Sequence, residues 1–410
     1  MWLVRIALLA AALAAAQGAG ARFDNYRVYS VRPVSPAQLA ALSRLHGESS
    51  GLSFWTDVAH NRSVHVMAPP HMFPEFEEMV ASLGMDFEVY IEDVQKLIDN
   101  QQSGDKSEAT FGWTSYHRVD EIHAWLRSLS ARYPGVVTLL NVGKSTEGRD
   151  LLGVKVSYKR GNKGIFIEGG IHAREWIAPA TVTYILNQLL TSTDSQVRSM
   201  AQEFDWYFFP STNPDGYEYT HTTNRMWRKT RSRTNLLCYG ADPNRNWGFH
   251  WNEGGTSTNP CADTYHGSAP FSEPETRLLA DYISTISSNL KIYLAVHSYT
   301  QVILTPYGIA GLRPANENTL LSIGQVAAQA LAKRYDTQYQ VGNIVDIMYV
   351  ATGSSADWVV GTQHVPLSFI YELRDTGRYG FLLPAEQIVP TGEETLDSLV
   401  ALVNAAKKTF

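Results

Sequence analysis

Two cysteines in 410 residues are too few for a disulfide-rich scaffold, so the chain must rest on an ordinary apolar core. It has no long basic tract, and a formal net charge of −6 gives no footing for nucleic acid. Beyond the first residues no apolar run is long enough to span a bilayer. There is no internal repeat and no low-complexity segment. What is there is 44% hydrophobic and 18% charged, the balance of a globular protein with room for two or three domains.

The apolar run at the start, Ile6 to Ala16 behind Arg5, reads as a signal peptide, with small residues at Ala14, Ala16, Ala19 and Ala21 for cleavage. A membrane anchor is the alternative, and the run is short for one. The expected division is residues 1–21 as the signal peptide, 22–106 as a small domain and 107–410 as a large one. From Arg22 to Asn100 the pattern is strand-helix-strand-strand-helix-strand: Tyr26 to Val31, a helix behind Ser35, Leu52 to Val58, Ser63 to Met67, Met72 to Leu83, then Phe87 to Ile91. That order is the split βαβ pattern of a small α/β sandwich. Residues 95–110 are polar and aperiodic, the signature of a linker open to nicking. Between Lys96 and Arg118 its one basic residue is Lys106.

Residues 111–410 alternate strand and helix signals, which predicts one α/β domain of roughly 300 residues with a mixed, partly parallel sheet flanked by helices. Strands are expected at 136–141, 152–157, 165–168, 206–210, 292–297 and 367–371. Helices are expected at 119–132, 177–190, 276–287 behind a capping box from Ser272 to Glu275, 319–332 and 393–407. Cys238 and Cys261 enclose a loop rich in Gly, Asn and Trp and lack the close His or Cys partners of a zinc site, so a disulfide is expected.

The chemistry starts where the strand Ile165 to Ile167 runs into Gly169 and Gly170 and then His172-Ala-Arg-Glu175. Positions i and i+3 of a helical turn share a face, so one imidazole and one carboxylate can converge on a Zn²⁺ ion. A buried histidine with a surface glutamate is the other reading. A second copy, His250-Trp-Asn-Glu253, has no strand leading into it and reads as a loop. Ile292 to His297 is another apolar strand ending in histidine. Sites in parallel α/β sheets gather beyond strand carboxyl ends, so His172, Glu175 and His297 form a candidate set for one zinc ion with a position left for water.

These residues, with Arg225-Met-Trp-Arg228, Asp242-Pro-Asn-Arg-Asn-Trp247, His297-Ser-Tyr, Tyr349 and Glu372-Leu-Arg-Asp-Thr-Gly-Arg-Tyr379, resemble the A/B subfamily of zinc metallocarboxypeptidases in the same order. The resemblance covers nearly the whole chain after the first twenty or so residues. It implies a digestive-type procarboxypeptidase: a secreted, monomeric zinc exopeptidase acting on peptides and proteins with a free C-terminus. Residues 22–106 would be its activation propeptide, released by a trypsin-like protease after Lys106. No nucleic-acid or membrane partner is expected.

Residue by residue, the match makes Glu372 the catalytic base, at the end of the strand Leu367 to Tyr371; read alone it is a surface or salt-bridged glutamate. Arg228 becomes the oxyanion partner, though its segment alone is a basic loop. Asn244, Arg245 and Tyr349 become the clamp on the terminal carboxylate, with Arg174, Ser298 and Tyr299 along the cleft. Arginine suits that role because its planar fork matches a carboxylate. Asp242 becomes an acceptor behind His172, or else the cap of an Asx turn. The base of the side-chain pocket falls at Ala356, near Ile344, Leu304, Gly308 and Ile370. The branch that prefers basic residues has an acid there, so aromatic and aliphatic C-terminal residues are expected. Asp357 next door is the counter-argument. Pro243 and Ala356 are the departures from the family pattern. The rival expectations are B-type specificity for Lys and Arg, a non-catalytic peptide-binding relative, and a hydrolase of N-acylated amino acids.

Overall fold

Strands apolar at every position need cover on both faces, whereas alternating strands can leave one face wet. The computed structural model describes residues 20–47, 51–59, 62–102 and 111–410. Most of the expected signal peptide, Lys106 and Asn61 of the glycosylation-acceptor triplet Asn61-Arg-Ser63 lie outside the described residues. The N-terminal part contains β1 (Arg27–Val31), α1 (Pro36–Gly47), β2 (Ser53–Phe54), β3 (Val64–Ala68), α2 (Phe73–Ser82) and β4 (Phe87–Ile91). Its strands pair antiparallel in the order β2-β3-β1-β4, the split βαβ arrangement.

Two local expectations fail there. The strand over 52–58 shrinks to two residues because the Thr56 side-chain oxygen takes the His65 N–H at 2.8 Å and turns the chain out of the ladder. The linker's first half is a helix, α3 (Val94–Gln102). Its polar composition hides an amphipathic pattern: Val94, Ile98 and Gln101 are buried at helical spacing, and Asp93 accepts the N–H groups of Gln95 and Lys96 at its start.

The large part runs α4 (Val119–Arg132), β5 (Val137–Lys144), β6 (Asp150–Val156), β7 (Lys163–Gly169), α5 (Ile177–Thr191), α6 (Ser195–Glu203), β8 (Phe204–Phe209), α7 (Pro214–Thr222) and α8 (Pro274–Ile286). It continues with β9 (Leu290–Ser298), β10 (Val302–Thr305), α9 (Glu317–Tyr335), β11 (Gln340–Asn343), α10 (Ile344–Ile347), α11 (Ser355–Gly361), β12 (Leu367–Leu373) and α12 (Ile388–Ala406). Eight strands form one mixed sheet in the order β11-β10-β12-β9-β7-β8-β6-β5, parallel through its centre from β12 to β8. Ile165, Ile167, Leu294 and Phe369 point to one core, shared with α4, α5, α9 and α12. Phe166, Tyr293, Ala295 and Ile370 point to the other, shared with α8 and α11. Each fully buried Leu, Ile or Phe side chain of this kind contributes about 1.5–3 kcal/mol.

Register decides where the chemistry falls. Glu168 lies opposite Ala295, Ala295 opposite Ile370, and Ile370 opposite Leu304. Two residues further along the same strands, His297 lies opposite Glu372. A third apolar cluster joins the two parts: Phe23, Trp55, Met67, Val94 and Ile98 pack on Met226, Tyr299, Phe381 and Leu382.

Cys238 and Cys261 are disulfide-bonded. The expected capping box before α8 does not form. Pro274 opens that helix, Asn246 Oδ1 accepts the Glu273 N–H, and the Glu275 carboxylate accepts the Thr146 N–H at 2.9 Å instead of reaching back. Among the described residues, no helix is long and apolar enough to cross a membrane.

Candidate active site

β7 ends against β8, and only glycine fits the exit. Gly170 has φ of +66°, and a Cβ there would come within 3.1 Å of the Pro210 carbonyl oxygen. The chain then makes a tight turn, not the helical turn expected, and α5 starts only at Ile177. The turn still brings its two donors together. His172 Nδ1 is 2.8 Å from Glu175 Oε1, and His297 Nδ1, from the end of β9, is 3.2 Å from both His172 Nδ1 and Glu175 Oε2. All three side chains are buried. Two imidazole nitrogens facing one another beside a carboxylate satisfy each other poorly, whereas a divalent cation among them satisfies all three. These donors, within 4.8 Å of one another, fit a His₂Glu zinc site.

Asp242 does both things expected of it as alternatives. Its Oδ1 lies 3.1 Å from His172 Nε2, fixing the ring tautomer, and also accepts the Asn244 N–H at 2.8 Å. Its Oδ2 accepts from Arg228 Nη2 at 2.7 Å and Nε at 3.1 Å. Burial opposes a charge on Asp242, yet Arg228 and His172 hold its carboxyl well below the usual range. Arg228 is thereby anchored with its Nη1 3.3 Å from His172 Nδ1, at the edge of the donor set. Glu372 stands on the strand beside His297. Burial pushes its carboxyl above the ordinary value; His297 opposes this and Glu175 adds to it.

Arg245 gives Nε and Nη1 to the carbonyls of Gly255 and Asn244, which leaves Nη2 without a hydrogen-bond partner among the described residues. That nitrogen is 4.0 Å from Asp57 Oδ2, a carboxylate from the N-terminal part, and Tyr349 lines the same cleft as Asp57. Burial works against ionising Asp57, but His46, Arg245 and Arg228 outweigh it and keep its carboxyl below the ordinary value. Arg174 lies over the Phe381 ring and donates to Asp263. Ser298 N–H donates to Glu175 Oε2 at 3.3 Å, and Tyr299 OH meets His65 Nδ1 of the N-terminal part at 2.7 Å. Sequence reasoning missed Asp57, His65 and Asp263. Asp57 and His65 sit in segments read only as strands of the small domain and Asp263 in a loop, and the one signal was the need of Arg174 and Arg245 for acids.

One cleft contains His172, Glu175, Arg228, Asn244, Arg245, Tyr349 and Glu372. Its apolar wall is Leu304, Ile344, Met348, Ala351 and Ile370. Ala356 is 1% exposed and packs in the same apolar cluster, behind the side chains that line the cleft. Asp357 is buried next to Ala356 and does not line the cleft; its Oδ2 accepts the Gly308 N–H at 2.8 Å. His250 and Glu253 sit on an exposed loop.

The family model for the zinc carboxypeptidase matches residues 122–398, and that for the carboxypeptidase activation peptide matches residues 29–101. Zinc carboxypeptidase A 1 of Anopheles gambiae is 48% identical over 408 residues, 98% of this chain and 94% of the relative. Carboxypeptidase B of Astacus astacus is 46% identical over 301 residues, 73% of this chain and 99% of the relative. The crystal structure of carboxypeptidase A from Helicoverpa armigera superposes with a TM-score of 0.86 at 29% identity, covering 94% of this chain and 98% of that one. The chain belongs to the zinc carboxypeptidase family, as an A/B-type metallocarboxypeptidase carrying its activation peptide.

Proposed function

We propose that this metallocarboxypeptidase is a secreted, monomeric proenzyme that, once cut after Lys106, removes single aromatic or aliphatic residues from the free C-terminus of peptides. The proposed division is a signal peptide to residue 21, an activation peptide over 22–106 and a catalytic domain over 107–410. The N-terminal apolar run supports export. The observation that carries the reading of the site is Asp57. An acid of the activation peptide sits at Arg245 and Tyr349, where an exopeptidase needs the substrate's terminal carboxylate, beside an apolar wall. The same contact supports latency of the uncut chain.

In this reading Asn244, Arg245 and Tyr349 hold the carboxylate, and Leu304, Ile344 and Ile370 with Ala356 beneath them receive the side chain. Bound zinc on His172, Glu175 and His297 supplies Lewis acidity that makes water nucleophilic near neutral pH. Glu372 takes a proton from the attacking water as its oxygen bonds the carbonyl carbon, then passes it to the nitrogen as the C–N bond breaks. Arg228 faces the oxyanion, held ready by Asp242. Arg174, Ser298 and Tyr299 line the path of the preceding residues.

The test is release of C-terminal residues from blocked dipeptides ending in Phe, Leu, Lys or Glu, with trypsin-treated protein, with and without a chelator. Chelator-sensitive release of Phe and Leu but not Lys is expected. A relative named carboxypeptidase B aligns at 46% identity, so release of Lys would transfer the chain to that specificity while leaving the zinc mechanism standing.

A further inference from the structure

Glu168 is the one acid in the apolar run of β7, and it is fully buried at the sheet's centre. It lies in the row of the sheet that holds Ala295, Ile370 and Leu304, one row short of His297 and Glu372. Its Oε1 accepts from Ser355 Oγ at 2.6 Å. Oε2 has no hydrogen-bond partner among the described residues, and its polar neighbour is the Tyr293 hydroxyl. Burying a carboxylate with so little compensation is expensive, and a leucine or isoleucine would fill such a strand position more cheaply. The acid therefore needs a use beyond packing.

That use can be traced through Ser355. The residue is itself fully buried, and its N–H donates to Asn244 Oδ1 at 3.1 Å. With Oδ1 engaged, the amide orientation of Asn244 is set, and Nδ2 is the donor turned to a ligand in the cleft. Asn244 N–H is fixed from the other side by Asp242, which also backs His172 and Arg228. The path Glu168, Ser355, Asn244 joins the central strand to the carboxylate clamp.

We infer that Glu168 is a positioning residue for substrate binding: it locks Ser355, which orients the Asn244 amide toward the terminal carboxylate. This rests on the clamp reading given above. Glu168 touches no substrate atom. Its loss should loosen carboxylate capture and leave the zinc donors and Glu372 in place.

The experiment uses trypsin-activated holoenzyme and a blocked dipeptide ending in Phe, with KM, kcat and zinc content measured for Glu168→Ala, Glu168→Gln, Asn244→Ala and the Glu168→Ala/Asn244→Ala double variant. Glu168→Ala should raise KM about tenfold, with kcat within about twofold and zinc retained. Glu168→Gln, which can still accept from Ser355, should stay near the parent. The double variant should be no worse than Asn244→Ala alone, because both changes break one path. Multiplying effects, or a fall in kcat or zinc at unchanged KM, overturns the inference. If Glu168→Ala does not fold, Ser355→Ala replaces it with the same expected direction. A raised KM in Asn244→Ala with none in Glu168→Ala or Ser355→Ala overturns this inference alone; an unchanged KM in Asn244→Ala overturns the clamp reading and this inference together.

Discussion

The chain holds two His-x-x-Glu tetrapeptides and uses them in opposite ways. In the first, His172 Nδ1 and Glu175 Oε1 are 2.8 Å apart at side-chain exposures of 5% and 3%. In the second, His250 Nδ1 and Glu253 Oε2 are 2.5 Å apart at 36% and 56%. Spacing alone yields the pair in both places. What differs is the scaffold behind it. The first follows β7, whose neighbour β9 brings His297, and Asp242 takes the far nitrogen of His172. The second sits in a loop with His250 and Asn252 at φ of 49° and 60°, and no third donor completes it among the described residues. A sheet makes a motif into a site.

Removing the donor that only the first copy has should have the largest effect. His297→Ala is expected to lose zinc and at least about 10³-fold in kcat/KM, checked by metal analysis and hydrolysis of a Phe-terminated substrate. A zinc-loaded, active variant would sink the three-donor assignment. Next comes the support behind the ring. Asp242→Asn should weaken zinc affinity about 10–100-fold in chelator competition, and unchanged affinity would mean the Asp242 contact does not distinguish the copies. The loop closed by Cys238 and Cys261 holds both Asp242 and the second copy, so opening it tests them together. Replacing both cysteines by serine should cost about 3 kcal/mol and several degrees of Tm in calorimetry, with zinc content retained. A flat Tm would show that closure adds nothing. The smallest effect should come from His250→Ala with Glu253→Ala: kcat/KM within about twofold and stability within about 0.5 kcal/mol. Loss of zinc from that variant would erase the contrast.

The parts legible in the sequence were those where one strand both forms and aims a residue. Ile165 to Ile167 and Ile292 to Val296 are apolar and β-branched enough to be read as strands, and each is followed by its donor. Strand signals for β10 and β11 were too weak: four residues each, with Gly342 and the polar Gln340 and Asn343 in the second. α3 escaped because Gln95, Asp99, Asn100 and Gln102 dilute a buried stripe that only the partner surface makes worthwhile. Glu168 escaped for the opposite reason, since an acid at the end of an apolar strand reads as the strand's exit into solvent. Asn244, Arg245 and Tyr349 became candidates through family resemblance, because nothing local separates a clamp from an ordinary turn. Asp57 lies far from Arg245 in sequence, so only the assembled fold could bring the two together.

The sheet register also separates two kinds of change. His297 and Glu372 share one rung of the β9–β12 ladder, while Ala295 and Ile370 share the rung two residues earlier, with Leu304 beside it on β10. Strand spacing near 4.8 Å sets the gap between zinc donor and base, and side chains at Leu304 or Ile370 do not alter it. Under the proposed function, selectivity is therefore an editable layer beneath a fixed one: replacing pocket residues would change which terminal residue is taken without re-measuring the distance over which the proton moves.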